Sequence, residues 1–376
     1  MPTDRGLVDH HVHGVVPITL ERPQFELLMN EGGMPPPPGT SHFDAPIGTA
    51  ILTRCAPMLG LEPGCDPDDY LKARADLGAE AVNRLFLQAA GSELLLIDTG
   101  HRPGEVVEPD EMHRLSGVPT HTVSRIERVA EDLARSVDGP SEFVAGLGAA
   151  LDTAGSVSVG FKSVVAYRYG FDLDPTPPDN GTVTKAAEQW FATFADNDDL
   201  RLDAPVLLTH LLHTAIDVAA QRKLPLQVHT GFGDTDLTLH RTDPSVFTPW
   251  VRELGARGVN VIFLHCYPYQ RQAAYLSEVF PHVYFDVGVT QHFTGASSRT
   301  IIAEALEIAP YSKLLYSSDG FGLAEYYYLS GTLFRRHLDG VLDSWVAAGD
   351  ATAATADRIR AMVERDNARR IYHLSA

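Results

Sequence analysis

Apolar and polar positions along this chain fall into two alternating textures. Short, nearly continuous apolar runs suit strands buried on both faces, and longer runs with apolar residues three and four apart suit helices that bury one side. The short runs predict strands at Leu7–Val12, Glu93–Ile97, Thr120–Ile126, Val157–Ala166, Pro225–Val228, Val259–Leu264, Val283–Val287 and Lys313–Tyr316. The longer runs predict helices at Tyr70–Ala90, Arg125–Val137, Glu142–Thr153, Thr209–Arg222, Phe247–Arg257, Gln270–Val279, Thr300–Ala309 and Ala353–Ile371. Helical material separates most neighbouring strands. Right-handed crossovers repeated over eight strands close into a (β/α)8 TIM barrel, an α/β fold. An open doubly wound sheet fits the same periodicity.

Two stretches break the alternation. Glu31 to Asp69 holds Gly32-Gly33, the run Pro35 to Pro38, and Pro57, Pro63 and Pro67. Proline at that density opposes helix interiors and central strands, so this reads as an insertion after strand 1, with a short helix near Thr49–Met58. The Pro175–Pro178 segment and a helix around Gln189–Phe194 read as a helical insertion after strand 4. Both are excursions from one barrel domain spanning residues 1–376.

Composition narrows the function classes. With 44% hydrophobic and 21% charged residues, a disordered or collagen-like chain is excluded. Asp and Glu number 49 against 30 Lys and Arg, so the formal net charge is −19. Such a chain is a poor partner for nucleic acid or an anionic membrane, yet it suits a small-molecule enzyme that binds cations. Cys55, Cys65 and Cys266 are too few for a disulfide framework. The start, MPTDRGLVDHHVHG, lacks the layout of a signal peptide, and no apolar run approaches the roughly 18 residues of a membrane helix. The expectation is a cytoplasmic protein with a small-molecule substrate, assembling as a homo-oligomer.

The candidate chemistry sits at strand ends. In Asp9-His10-His11-Val12-His13, alternate residues of a strand share a face, so His11 and His13 can grip one cation. Leu224-Pro-Leu-Gln-Val-His229-Thr-Gly231 is an apolar run ending in histidine before a glycine turn. Val259 to His265-Cys-Tyr-Pro268 has the same grammar, and Lys313-Leu-Leu-Tyr-Ser-Ser-Asp319-Gly320 ends in a carboxylate. In a barrel all these ends meet at one mouth, where barrel active sites lie. Each residue alone could be a capping or hydrogen-bonded loop residue. Together, four histidines and an aspartate suit a divalent transition metal.

On these residues the sequence resembles the amidohydrolase superfamily, from Leu7 to about Gly322. The segments Leu-Pro-Leu-Gln-Val-His-Thr-Gly-Phe-Gly-Asp, Phe-Lys-Ser-Val-Val-Ala-Tyr-Arg and Tyr-Ser-Ser-Asp-Gly are similar to its amidohydrolase-2 branch. Within that branch they resemble the metal-dependent hydrolase domain that precedes glutamine-synthetase-like domains in some fusion proteins. The resemblance implies metal ligands at His11, His13, His229, His265 and Asp319. It also implies one or two ions, with zinc foremost and manganese or another transition metal as alternatives. Many superfamily members carry a carboxylated lysine on the fourth strand that bridges two metals; here that position is Lys162. Strand alternation puts Lys162, Val164, Ala166 and Arg168 on one face, with Lys162 below the mouth. A buried lysine calls for neutralisation, an ion pair or carboxylation.

Around the mouth, Arg168 is a candidate for binding a substrate carboxylate, or else pairs with a surface acid. Tyr269, Gln291 and His292 are candidates for lining the pocket, and His240 for a loop beside it. The expected reaction is hydrolysis of a C–N bond, amide or lactam, in a small substrate, one bearing a carboxylate if Arg168 binds it. Asp319 would orient water and move its proton, with His265 beside it as a further catalytic group. Non-oxidative decarboxylation and a non-catalytic regulatory barrel are the alternatives.

Overall fold

Strand residues rich in Val, Leu and Ile on both faces need cover on both sides, and the chain supplies it with helices outside and side chains inside. The computed structural model describes residues 6–193 and 200–375. Seven parallel strands follow chain order, each bonded to the next: β1 (Leu7–Val12), β2 (Ser92–Asp98), β3 (Thr120–Arg125), β4 (Ser158–Ser163), β5 (Leu226–Thr230), β6 (Val261–His265) and β7 (Val283–Phe285). The predicted eighth strand is an extended segment with a single ladder bridge, Phe285 to Leu314. Its far side meets β1: the His10 N–H donates to Tyr316 O (3.3 Å), and the Asp319 N–H donates to His11 O (3.1 Å). The curled sheet therefore closes between β7 and β1 as a (β/α)8 barrel.

Inside, Val8, Leu94, Leu96, Val123, Ile262, Leu264 and Leu315 pack together, and Ala368, Ile371 and Tyr372 of the C-terminal segment join them. Tyr372 reaches deepest, bonding His10 Nδ1 (3.0 Å) and accepting from Gln227 Nε2 (2.8 Å). Outside, helices such as Pro140–Ser156 and Pro205–Arg222 bury the largest apolar cluster against β4 to β6. The insertion after β1 is more helical than its prolines suggest. It contains Arg22–Leu28, a helical stretch from Pro46 to Leu59, and Pro67–Leu77, and it builds its own apolar cluster against β1 and β2. Several prolines sit at the first turns of these helices, where no N–H is needed.

The structure corrects several element boundaries. The helix expected over Tyr70–Ala90 is two, Pro67–Leu77 and Ala79–Ala89, because Gly78 at φ 84° and ψ 152° turns the chain between them. The strand expected to run to Ala166 ends at Ser163. There the buried Glu127 carboxylate accepts from Ser163 Oγ (2.6 Å) and Val164 N (2.9 Å), and Val165–Arg168 curls into a helical turn. The helix in the second insertion is Asn180–Ala192, and Phe194 of the expected range lies outside the described residues. Helices Pro109–Ser116 and Ala324–Ala348 were not expected at all. The latter carries buried Glu325, Ser330 and His337 among its apolar residues, so it lacks the one-sided periodicity of a surface helix.

Candidate metal centre

His11 and His13 leave β1 towards the barrel mouth with ring centroids 5.1 Å apart and nearly perpendicular. The β1–β2 register slips between Asp9 and Val12. Such an irregularity lets neighbouring side chains escape strict alternation. His10 thus reaches Asp286 (2.9 Å) while its neighbour His11 reaches Asp319. The Asp319 carboxylate is the hub. Its Oδ1 lies 3.3 Å from His11 Nε2 and 3.6 Å from His13 Nε2, and its Oδ2 lies 3.4 Å from His265 Nδ1. His229 stands beside His265, ring centroids 4.8 Å apart, and against Tyr167 at 4.3 Å. Lys162, 2% exposed, brings its Nζ to 2.9 Å from His11 Nε2 and 3.9 Å from Asp98 Oδ2. All six residues expected to hold metal converge at one end of the barrel.

The backbone around them is strained. His265 (φ 68°), Cys266 (φ 57°), Val289 (φ 61°) and Asp319 (φ 53°) are non-glycine residues in the left-handed region. Such conformations persist only where the surroundings fix them, and they gather at functional sites. Here Asp286 Oδ1 accepts from the His265 N–H (2.8 Å) and the Gly288 N–H (2.7 Å), and Asp9 Oδ1 accepts from the Ser318 N–H (2.8 Å).

Burial sets the electrostatics. It pushes the His11 imidazole down to about 3, with Lys162 adding to the effect. It likewise lowers His229 and His265, and brings the Lys162 ammonium down to about 8. Burial opposes ionisation of Asp319, but His265, His11 and His13 beside it outweigh that and hold the carboxyl well below its ordinary value. The result is neutral imidazoles at His11, His229 and His265 beside an ionised carboxylate, the protonation states a metal needs. His229 Nε2 and His265 Nδ1 are buried without a hydrogen-bond partner. Donor atoms of His11, His265 and Asp319 lie within 4.8 Å of one another, as do those of His11, His13 and Asp98. Buried unmet donors of this kind cost about 1–3 kcal/mol each, and a divalent cation would satisfy them together, so the residues fit a metal.

A cavity of about 340 Å³ opens over this cluster, bordered by Glu31, His101, Arg102, Tyr167, Arg168, Asp234, His292 and Tyr326 among others. Arg168 borders it but pairs with Glu131 at 2.9 Å, the ion-pair alternative of the two expected for it. It also does not share a strand face with Lys162, since β4 has already ended. Tyr269 does not border the cavity; its hydroxyl donates to Leu239 O (3.1 Å). Gln291 is buried within helix Thr290–Thr294 and does not border the cavity, and His240 is exposed. Cys266 is buried, with its Sγ against Phe263 O.

Sequence reasoning missed Asp98, Arg125, His101 and Glu31. Asp98 ends β2 beside Lys162 and is held by Arg125 Nη2 (2.6 Å). Arg125, with His13 and Lys162, outweighs burial and keeps the Asp98 carboxyl far below its ordinary value. The signal was present: Leu94-Leu-Leu-Ile-Asp98-Thr-Gly100 has the same apolar-run-then-polar grammar as the segment ending in Asp319. His101 packs on His13 (5.0 Å) and Phe321 (4.6 Å). Glu31 arrives from the insertion, where no local pattern marks it.

The amidohydrolase family model, of the amidohydrolase-2 branch, matches residues 166–374, more than half of the chain. The chain belongs to the amidohydrolase family. This amidohydrolase is 28% identical to protein FluG of Emericella nidulans over 98% of its own length, and it spans 46% of that relative, under half. Its fold matches a proposed metal-dependent hydrolase from Lactobacillus casei with a TM-score of 0.84 at 25% identity, covering 98% of this chain and 96% of that one. Uronate isomerase from Thermotoga maritima matches with a TM-score of 0.64 at 12% identity, covering 98% and 95%, a likeness of fold alone. The family match covers His229, His265 and Asp319, while His11, His13 and Lys162 precede it and join them through the barrel geometry. Family and fold together support a metal-dependent hydrolase.

Proposed function

We propose that this amidohydrolase cleaves a C–N bond, amide or lactam, in a small substrate, using zinc held by His11, His13, His229, His265 and Asp319. The observation that carries the reading is the set of buried imidazole nitrogens without partners around the Asp319 carboxylate at the barrel mouth. A metal held there would supply hydroxide near neutral pH and polarise the scissile carbonyl. Asp319 handles the proton. Its carboxylate, 11% exposed and held ionised by three imidazoles, accepts a proton from the attacking water and delivers it to the leaving nitrogen. The C–N bond breaks, a C–O bond forms, and the amine departs with that proton. His265, fixed by Asp286 through its own N–H, orients Asp319. A substrate carboxylate meets Arg102, whose acid contact is the loosest at the rim (Glu105, 3.6 Å), rather than Arg168.

Lys162 supports a second ion within the same reading. It touches His11 and approaches Asp98, and so stands where the two donor groups sharing His11 overlap. Carboxylated, it would offer an oxygen to each of two ions and replace a positive charge with a negative one.

The test is turnover by zinc-loaded protein on a panel of small amides and lactams, read as amine release, beside aromatic carboxylates read as carbon dioxide release. Amine release that falls at least about a hundredfold in Asp319→Asn is expected, the usual scale for losing general acid–base catalysis. Carbon dioxide release without amine release would replace the hydrolase with a decarboxylase.

A further inference from the structure

Two residues that border the cavity beside the candidate metal ligands each have a polar atom left without a partner. Glu31, from the insertion after β1, borders the cavity, and among the described residues its carboxylate has no hydrogen bond and no cation within ion-pair distance. His292 is fully buried, borders the same cavity, and its Nε2 has no partner. Its state follows from its other nitrogen. Ser330 Oγ lies 2.8 Å from His292 Nδ1 and 3.5 Å from Ser318 O; with its hydrogen turned to Ser318 O, it is His292 Nδ1–H that donates to it. In that tautomer the buried Nε2 is a bare acceptor at the cavity's border.

The two acceptors share a neighbour. His292 stacks on Tyr326 with centroids 4.2 Å apart and planes 13° from parallel. The Tyr326 hydroxyl donates to Leu28 O, which anchors the segment leading to Glu31. Glu31 lies close enough to Tyr326 to raise its phenol, after burial. Asp234 adds another carboxylate beside Glu31, with Arg102 as its nearby counter-charge. The phenol's own hydrogen is already committed to Leu28, so Tyr326 offers no donor to either acceptor, and Arg102, beside Asp234, is the cation on this side. Burial, Asp319 and Asp234 together push the Glu31 carboxyl well above its ordinary value, an unfavourable state that a cation placed there relieves.

A metal would ask for more ligands at closer quarters than this wall provides. A group with several N–H donors and one positive charge fits it. We infer that Glu31 and His292 select a substrate carrying a primary ammonium group a short span from the scissile amide. This rests on the amide-hydrolase reading above and names the substrate class for that site. The ammonium donates one hydrogen to an oxygen of the half-buried Glu31 and another to Nε2 of the buried His292, both otherwise unmet.

The experiment is binding, so that it stands apart from turnover. Zinc-loaded wild type, Glu31→Gln and Glu31→Asp are titrated calorimetrically with ω-aminoalkanamides of three to six carbons, each beside its parent alkanamide. The series covers the unknown span between wall and metal. At least one amino compound should bind about tenfold or more tightly than its parent, as expected for a charge-assisted hydrogen bond. Glu31→Gln keeps the side-chain shape and should bring that ratio close to one, and Glu31→Asp should restore part of it. Equal binding of every pair, a preference that survives Glu31→Gln, or no binding by any member overturns the inference. Amide hydrolysis that persists on substrates without an amine would then show the hydrolase reading standing while the ammonium wall falls.

Discussion

Lys162 meets His11 on one side and Asp98 on the other, so as an ammonium it occupies the imidazole nitrogen that a metal would use. An ammonium there competes with a metal for His11, whereas a carbamate recruits one. The account therefore predicts two metal ions per chain in bicarbonate buffer and one in the Lys162→Ala protein, measured by elemental analysis of dialysed samples. One tightly held ion in both proteins, with activity unchanged, would make Lys162 a structural residue. The same neighbourhood shows how far single residues are legible. The pair His11 and His13, and the terminal positions of His229, His265 and Asp319, follow from strand periodicity and from the rule that barrel chemistry gathers at strand C-termini. Asp98 obeys the same rule, with the same apolar run before it, and went unread because the resemblance places ligands after strands one, five, six and eight and not after the second. Glu31 and the ion pair of Arg168 with Glu131 depend on tertiary approach and leave no local trace.

At the scale of elements, the insertion after β1 must be fixed to the barrel for Glu31 to reach the cavity. The fixing point is buried. Arg74, 4% exposed on helix Pro67–Leu77, donates through Nε to Glu325 Oε1 (2.7 Å) at the start of helix Ala324–Ala348, and Tyr70 O–H donates to the same oxygen (2.9 Å). Removing the carboxylate leaves a buried guanidinium uncompensated. Glu325→Ala should lower unfolding stability by about 3–5 kcal/mol in urea titrations. A loss below about 1 kcal/mol would mean the insertion is held by its apolar contacts instead. This lock was invisible in the sequence for a physical reason. A helix wedged between barrel and insertion buries polar residues with partners, so Ala324–Ala348 shows no single apolar face. Helix Gln270–Val279, with one face towards the barrel and one towards solvent, follows its pattern to the residue. The end of β4 was hidden similarly, because Val164-Val-Ala reads as more strand, while a carboxylate from another element, Glu127, turns the chain after Ser163.

At the scale of the whole molecule, alternation of buried strands with amphipathic helices was enough to predict a closed parallel barrel over an open sheet once four strand ends carried metal-binding side chains. The closure itself is finer than pattern can resolve, since the eighth segment joins β7 by one bridge and β1 by isolated bonds. Among the described residues no helix is long and apolar enough to cross a membrane. The net charge of −19 is consistent with a mouth built to hold cations, but the charge is spread over the surface and the site draws on only a few carboxylates. The proposed function thus rests on one convergence, that of His11, His13, His265 and Asp319, with His229 beside them.

An anomalous difference map from crystals of the zinc-loaded protein tests that convergence directly. The account predicts a peak at the barrel mouth, about 2.0–2.2 Å from nitrogens of His11 and His13 and from an oxygen of Asp319. A folded protein that at saturating zinc shows no peak there, or holds its ion away from these three residues, would contradict it.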